Sequence, residues 1–365
     1  MQFRVASYNL ENMFTRPAAM SEQPDGKGQQ AILDHARLNE IVDQPVYSSA
    51  DKAELLGFNA RYHFADLNVP RNTLVLLQKI RSQLFGVRNG ELTVVANGRA
   101  DWTGWFDLRR NDVSWEATFN TARVIAEAQP DILLCVEVED RPSLKRFHDQ
   151  VLRAKYDLHY RHIMVIDGND NRGIDVGILS RFPISGVRSH VDDMYDEQVL
   201  FPRDCPEYAI ALPNGETLVV CPNHFSSKRG GNTSAVQARR LAQGTQAAAI
   251  ARRAEAEVSP YVLLGGDLND TPDSAALAPI LSGNWRDIQD HPSYPTDRPG
   301  TYGTGNASDK IDYLVMSPAL QDHLVSTGIE RRGSWHPNTW ASFDTVTGKN
   351  NEASDHHLIW ADFSF

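Results

Sequence analysis

The chain is short of the residues that mark several functional classes. It has only three cysteines, Cys135, Cys205 and Cys221, too few for a disulfide framework. Two of them lie in apolar strand-like runs (ILLCVEV and TLVVCPNH) and read as small buried hydrophobes. No run of about 18 apolar residues occurs, so a membrane span and stable membrane association are not expected. No basic segment followed by an apolar stretch opens the chain, so a cytoplasmic location is expected, or secretion if a signal has been removed. Zinc-ligand spacing, a His-Glu-x-x-His pattern and a GxxxxGK phosphate loop are all missing. Positive charge is scarce too: Lys+Arg is 36 against 47 Asp+Glu, a net charge of −11. That balance weighs against a protein that coats nucleic acid and, taken alone, favours a small-molecule enzyme.

What is present is a globular composition, 41% hydrophobic and 23% charged over 365 residues, long enough for two domains or one with a large insertion. FRVASYNL near the start reads as a buried strand. The stretch from about 15 to 110 looks irregular, with one helix from near Asn72 (Leu74, Leu77, Ile80, Leu84) and one hairpin using Leu92–Ala96 and ending at Asn97-Gly98. Beyond about residue 113 the pattern is regular. Helices are expected over about Val113–Ala128, Pro142–Lys155 and Thr233–Glu257. Strands are expected at DILLCVEVE, Leu158–Ile166, Asp175–Ser180, Tyr261–Leu264, Ile311–Met316 and His357–Phe363. Asn214-Gly215 should turn a hairpin between Tyr208–Leu212 and Thr217–Cys221. Hairpins mixed with crossovers suggest an α/β sandwich of mixed sheets.

Polar residues recur at the downstream ends of these strands: Asn9 and Glu11, Glu137, Asn223 and His224, Asp267 and Asn269, with Asp312 within SDKIDYLV and Asp355 and His356 before the last strand. One such residue is ordinarily a cap or turn former; a series of such sites, all acid, amide or imidazole, points to convergence at one sheet edge. Carboxylates suit a hard cation such as Mg²⁺, Mn²⁺ or Ca²⁺. Amides and imidazoles can hold phosphoryl oxygens and water. Together they point to phosphoester hydrolysis.

The series ASYNLEN, PDILLCVEVE, RGIDVGILSR, PNHFSSK, GGDLNDTPDS, SDKIDYLV and SDHHLIWADF resembles the endonuclease/exonuclease/phosphatase superfamily, and NHFSSK with GDLNDTPDS is most similar to its predicted bacterial nucleases. The resemblance covers residues 1–14 and roughly 113–365. It implies a four-layer sandwich, two mixed β-sheets flanked by helices, in one domain. The chain departs from the family at residues 15–110, an insertion far beyond ordinary loop length that is expected to act as a substrate-access cap or an oligomerisation element. The resemblance implies that Glu137, Asn9 and Asp355 hold a metal, that His356 is the catalytic histidine oriented by Asp312, that Asp267 and Asn269 bind the attacking water and a phosphoryl oxygen, and that His224 contacts the scissile phosphate; either Asp267 or His356 is the base that activates the water. Arg172, Lys228 and Asn223 are assigned to substrate phosphate. A tyrosine occupies the His224 place in apurinic endonucleases, which argues against that branch. The function implied is a Mg²⁺- or Mn²⁺-dependent phosphodiesterase with nucleic acid as transient substrate, DNA before RNA; the alternative is hydrolysis of small or lipid-derived phosphoesters. Oligomeric state is left open.

Other residues read as background. Asp309 and Lys310 fit a solvated turn, with phosphate contact by Lys310 the lesser reading. Arg229 shares the phosphate reading of Lys228. Arg239, Arg240, Arg252 and Arg253 fit the wet face of the long helix. His357 should face away from the site entered by His356.

Overall fold

Strand β1 (Gln2–Met13) alternates strictly. Phe3 and Val5 join one apolar cluster, whereas Ala6, Tyr8 and Leu10 join another. A strand apolar on both faces must be covered on both, and this sets the layering. The structure is a computed structural model and describes residues 1–13, 18–20, 26–66, 69–70, 73–110, 114–170, 172–228 and 233–365. The chain packs as two units, Met1–Phe14 with Val113–Phe365, and Thr15–Asp112.

In the larger unit, numbered in chain order, β1 is followed by α1 (Trp115–Ala128), β2 (Ile132–Val138), β3 (His162–Val165), β4 (Asp175–Ser180), β5 (Ile184–Arg188), β6 (Glu207–Ala211) and β7 (Thr217–His224). Then come α2 (Ser234–Glu257), β8 (Val262–Asp267), β9 (Arg286–Asp287), β10 (Asp312–Met316), β11 (Leu324–Glu330) and β12 (Leu358–Ser364). Two six-stranded mixed sheets result, ordered β11-β12-β1-β2-β4-β3 and β9-β10-β8-β7-β6-β5. The parallel pairs are β1/β2 and β7/β8; the remaining neighbours are antiparallel.

The sheets face each other across Val5, Leu134, Ile178, Val220, Leu263, Leu314 and Ile359, all fully buried. Cutting one of these back to Ala costs about 2–5 kcal/mol. The opposite face of the first sheet is covered by α1 through Ala122, Val124, Ile125 and Ala128. The outer face of the second is covered by α2 through Ala247, Ala248, Ile250, Ala251 and Ala254. The four-layer sandwich of two mixed sheets and flanking helices is thus the observed architecture. Caps set the helix limits: Ser114 accepts from Ala117 N–H at 3.3 Å and Thr233 from Val236 N–H at 3.3 Å. Between β2 and β3 a helical segment runs through Arg141–Phe147, a π-turn at His148–Leu152 and Arg153–Tyr156. Among the described residues no helix is long and apolar enough to cross a membrane.

The Thr15–Asp112 unit departs from expectation. It holds two helices, Lys27–Val42 and Ser49–Tyr62, instead of irregular chain. Asn72 lies outside the described residues, but Val75–Arg81 is a strand, not a helix, paired with Thr103–Leu108. TLVLLQKI is a short apolar run that fits either period, and the partner strand decides it: Leu77 pairs with Phe106, and Ile80 is left exposed. The hairpin exists but turns at Asn89-Gly90, joining Phe85–Arg88 to Glu91–Val94. Both turn residues have positive φ, 54° and 84°, as a tight two-residue hairpin turn requires. Asn97 instead accepts from the Tyr47 N–H.

Candidate active site

Period-2 alternation delivers the site. In β10, Leu314 and Met316 face the inter-sheet core, so Asp312 does as well; in β8, Leu263 brings Asp267 to the same side. In β7, Leu218 and Val220 carry His224 with them. In β1, Phe3 and Val5 carry Asn9. Glu137 has the wrong parity for this face. The chain corrects it with a bulge: Glu137 takes φ 63°, the β2/β4 register shifts between Val136 and Val138, and Val138 falls into the helix-side cluster. A bulge re-aims one side chain at the cost of a strained backbone.

At the centre His356 Nδ1 lies 2.9 Å from Asp312 Oδ2, both side chains buried. A carboxylate only accepts, so this bond places a proton on Nδ1 and turns Nε2 to the site. Asp312 Oδ2 also accepts from Thr301 Oγ1 at 2.7 Å, and Thr301 Oγ1 accepts from the Asp312 N–H at 2.9 Å. His356 Nε2 stands 3.4 Å from Asn9 Nδ2, 3.8 Å from Asp267 Oδ2 and 3.9 Å from Asp355 Oδ1. Burial works against charge on His356, but Asp312 and Asp267 outweigh it and raise its pKa well above the ordinary value. His224 Nε2 lies 3.7 Å from Asp267 Oδ2 and 3.9 Å from Glu137 Oε1. Burial, with Arg203, His356 and Arg172 adding repulsion, drives His224 well below the ordinary histidine value. The two imidazoles are therefore pushed in opposite directions, as in sites that use one as a cation and the other neutral.

The carboxylates crowd each other. Glu11 is pushed up to about 7 by burial, then Asp355, Glu352 and Glu137, although its Oε2 accepts from the Asp355 N–H at 3.0 Å. Asp267 is pushed up to about 7 by burial, with Asp312 adding to it and His356 opposing. Anions held together against their own repulsion are a donor set that fits a hard divalent cation. Among the described residues, Asp267, Asp312 and His356 bring ligand atoms within 4.8 Å of one another. Asn9 presents its amide nitrogen to Asp267 at 3.3 Å, while its oxygen accepts from the Glu11 N–H at 3.0 Å.

Arg203 is a residue the sequence pattern does not flag. Its guanidinium is fully buried, donates from Nη2 to the Phe225 carbonyl at 2.7 Å and from Nη1 to Asp170 Oδ2 at 3.2 Å. Asp170 in turn grips Arg172, at 3.0 Å from Nε and 2.8 Å from Nη2, and the Glu137 charge adds to what keeps Arg172 cationic. Asn269, at φ 52°, donates to the same Phe225 carbonyl at 3.0 Å and from its N–H to Asp267 Oδ1 at 2.9 Å. No local signal marks Arg203: FPRDCPEY mixes charges and prolines, and only the fold buries it.

Two residues assigned to phosphate, Asn223 and Lys228, do not join the cluster, and Lys310 departs from its reading as well. Asn223 has the opposite parity to His224, and its side chain turns to the α2 side, donating to the Cys221 carbonyl at 3.0 Å and bonding Cys205. Its backbone is packed hard against β8, where a Cβ on Gly266 would stand 2.0 Å from the Asn223 carbonyl oxygen. Lys228 Nζ bonds Asp270 Oδ1 at 2.5 Å. Lys310 is neither a solvated turn residue nor a phosphate contact: Nζ bonds Asp287 Oδ2 at 2.9 Å, and both side chains are 1% exposed. Arg229 lies outside the described residues. The arginines of α2 are not simply wet. Arg240 is buried on Asp270 at 3.1 Å, and Arg239, Arg252 and Arg253 bond Val199 O, Pro279 O and Glu207. His357 does face away from the site, onto Ser334 and Trp340.

Comparison with known proteins agrees with this fold. No curated protein matches the chain. An endonuclease/exonuclease/phosphatase family protein from Bacteroides thetaiotaomicron is 13% identical, with a TM-score of 0.55 over 100% of this chain and 96% of that one. A protein of the same description from Beutenbergia cavernae is 17% identical, with a TM-score of 0.50 over 70% of this chain and 67% of the other. One from Leptotrichia buccalis is 16% identical, with a TM-score of 0.50 over 70% and 95%. The sequence profile of the endonuclease/exonuclease/phosphatase family matches residues 110–356. That span runs from before α1 to His356 and includes the strand ends that carry Glu137, His224, Asp267 and Asp312, though not Asn9 of β1, and the chain belongs to that family of metal-dependent phosphoester hydrolases.

Proposed function

We propose that the chain is a divalent-metal-dependent phosphodiesterase that cuts nucleic acid, DNA before RNA. The observation that carries this reading is the buried Asp312–His356 pair, whose free Nε2 faces Asp267 and Asn9. In this reading His356 Nε2 donates to a phosphoryl oxygen, and Asp312 holds the ring in the tautomer that allows it. Asp267 Oδ2, with Oδ1 already held by the Asn269 N–H, accepts the proton of the water that attacks phosphorus in line with the leaving oxygen. His224 lies beside both and contacts the scissile group, and Arg172, oriented by Asp170, faces the same phosphate. Asn9, Glu137 and Asp355, with Glu11 beside them, would hold Mg²⁺ or Mn²⁺. A cation bound there supplies charge neutralisation at the phosphoryl and leaving oxygens and lowers the pKa of water.

The net charge of −11 favours a second reading, hydrolysis of small phosphoesters, because it repels a polyanion. One assay separates the two. Plasmid, single-stranded DNA and RNA are incubated with Mg²⁺ or Mn²⁺, with and without chelator, beside a panel of phosphomonoesters. Chelator-sensitive polymer cleavage is the expected result. Release of inorganic phosphate from monoesters with no polymer cut would overturn the nuclease reading in favour of the second.

A further inference from the structure

The edge of the first sheet carries a second feature that the site does not use. A cavity of about 350 Å³ opens between the Arg141–Tyr156 helical segment and the chain entering β3. Its walls include Arg141, Lys145, His148, Arg153, His159 and Arg161, against a single acid, Asp149. Asp149 is already engaged by Lys145 and by His148 Nδ1, the latter at 2.8 Å. Arg141 donates from Nε to the Ile163 carbonyl at 2.8 Å and, among the described residues, forms no ion pair. Among the described residues the Arg153 and Arg161 guanidiniums form neither ion pairs nor side-chain hydrogen bonds, and both side chains are exposed. In a chain of charge −11, three guanidiniums with no ion-pair partner among the described residues around one cavity are a local reversal of sign. The floor is rigid: His148 Nε2 accepts from the Tyr160 N–H at 3.0 Å, and Tyr160 and Ile163 are buried.

Its position shows what it fits. β2 and β3 are both antiparallel to β4, so they run in the same direction. Arg141 is four residues past Glu137 at the catalytic end, whereas Arg161 precedes the start of β3 at the other end. The Arg141 guanidinium nevertheless reaches the Ile163 carbonyl, and Ile163 is level with Leu133 of β2, so the cations gather at the end of the sheet edge away from Glu137; an anion that spans from there to the site must be an extended polyanion.

We propose that this cavity is an exosite for the phosphodiester backbone of the nucleic-acid substrate, engaged several nucleotides from the scissile bond. The proposal rests on the nuclease reading above. It predicts that binding of polymer and hydrolysis of a small diester are separable.

The test uses the full chain and the double variant Arg153→Gln/Arg161→Gln. Binding of a fluorescein-labelled DNA duplex is followed by anisotropy in excess EDTA across a salt series, and hydrolysis of bis(4-nitrophenyl) phosphate is followed with Mn²⁺. The variant should bind about tenfold more weakly at moderate salt. Its slope of log K against log salt should be shallower by about 2, with small-diester hydrolysis unchanged. Arg153→Lys/Arg161→Lys, which keeps the charge, should retain most binding. If wild type and the glutamine variant bind with equal affinity and slope, the exosite is refuted while the nuclease reading stands. If the wild type neither binds nor cuts DNA yet hydrolyses the small diester, the nuclease reading fails and takes the exosite with it.

Discussion

Replacing Asp312 by asparagine isolates one charge at the heart of the site. The carboxamide fits the space. Its oxygen can keep the Oδ2 place between His356 Nδ1 and Thr301 Oγ1, and its amino group takes the Oδ1 place, which is buried and has no partner. Geometry is thus retained while the negative charge is lost. Two unit charges about 4 Å apart at an effective dielectric of about 20 interact by about 4 kcal/mol. That corresponds to about a thousandfold in how readily His356 holds a positive charge. If His356 steadies the developing charge on phosphorus, kcat for a small diester should fall by about a thousandfold with KM little changed. Stability should move much less, because the unpaired amino group costs about 1–3 kcal/mol and a buried charge is removed at the same time. Steady-state kinetics at saturating metal, with a urea melt as control, measure both. A kcat within tenfold of wild type in a folded variant would refute the role given to the pair.

Three further outcomes are expected. The buried His190 lies between Glu207 and Asp193, at 2.8 and 3.1 Å; burial lowers its pKa, but the two acids outweigh that and raise it above 6.5. A raised histidine stabilises fully below its unfolded value of about 6.5. That share is lost as pH rises through the higher folded value, so the wild-type advantage over His190→Gln in urea melts should shrink from pH 6 upward; a constant difference would contradict it. Lys310→Met leaves Asp287 charged and unpaired in the core and should cost about 3–5 kcal/mol in a urea titration; a loss under 1 kcal/mol would show that the pair is not held as described. Chelation should abolish hydrolysis, and Mg²⁺ or Mn²⁺ should restore it and raise the melting temperature, whereas Glu137→Gln should blunt that rise; full activity in excess EDTA would remove the metal from the reaction.

The larger unit was legible because its strands carry unbroken apolar runs that end in acids, amides and imidazoles. The same runs hid which side each residue faces. TLVVCPNH is apolar on both sides, so nothing in it separates His224, turned to the inter-sheet face, from Asn223, turned toward Cys205 and Cys221. Glu137 was named from its motif, but its bulge depends on pairing with β4 and is invisible to local pattern. Lys310 read as solvated because Asp287, its partner, is remote in sequence. In the Thr15–Asp112 unit, Ala31, Leu38, Ile41 and Val42 lie on one helical face, and Ser48 with Asp51 forms a capping box. Both signals were present among polar residues that suggested loop. The strand at Val75–Arg81 had no such signal, since only Thr103–Leu108 beside it breaks the tie.

The charge of −11 turns out to be a poor guide to where an anion can approach. Glu11, Glu137, Asp267 and Asp355 converge on one end of the sandwich, where Glu11 and Asp267 are raised by burial and mutual repulsion. A cation there would cancel much of that group. Arg141, Arg153 and Arg161 gather along the edge of the first sheet. Screening decides which of these charges a polymer feels. At about 0.15 M salt the Debye length is about 8 Å, so each patch acts nearly alone; at 0.01 M it is about 30 Å and the whole acidic molecule is felt. Weak, salt-sensitive engagement of a polyanion at one edge is therefore compatible with an acidic enzyme, because the sign that matters is the one within a Debye length of the backbone.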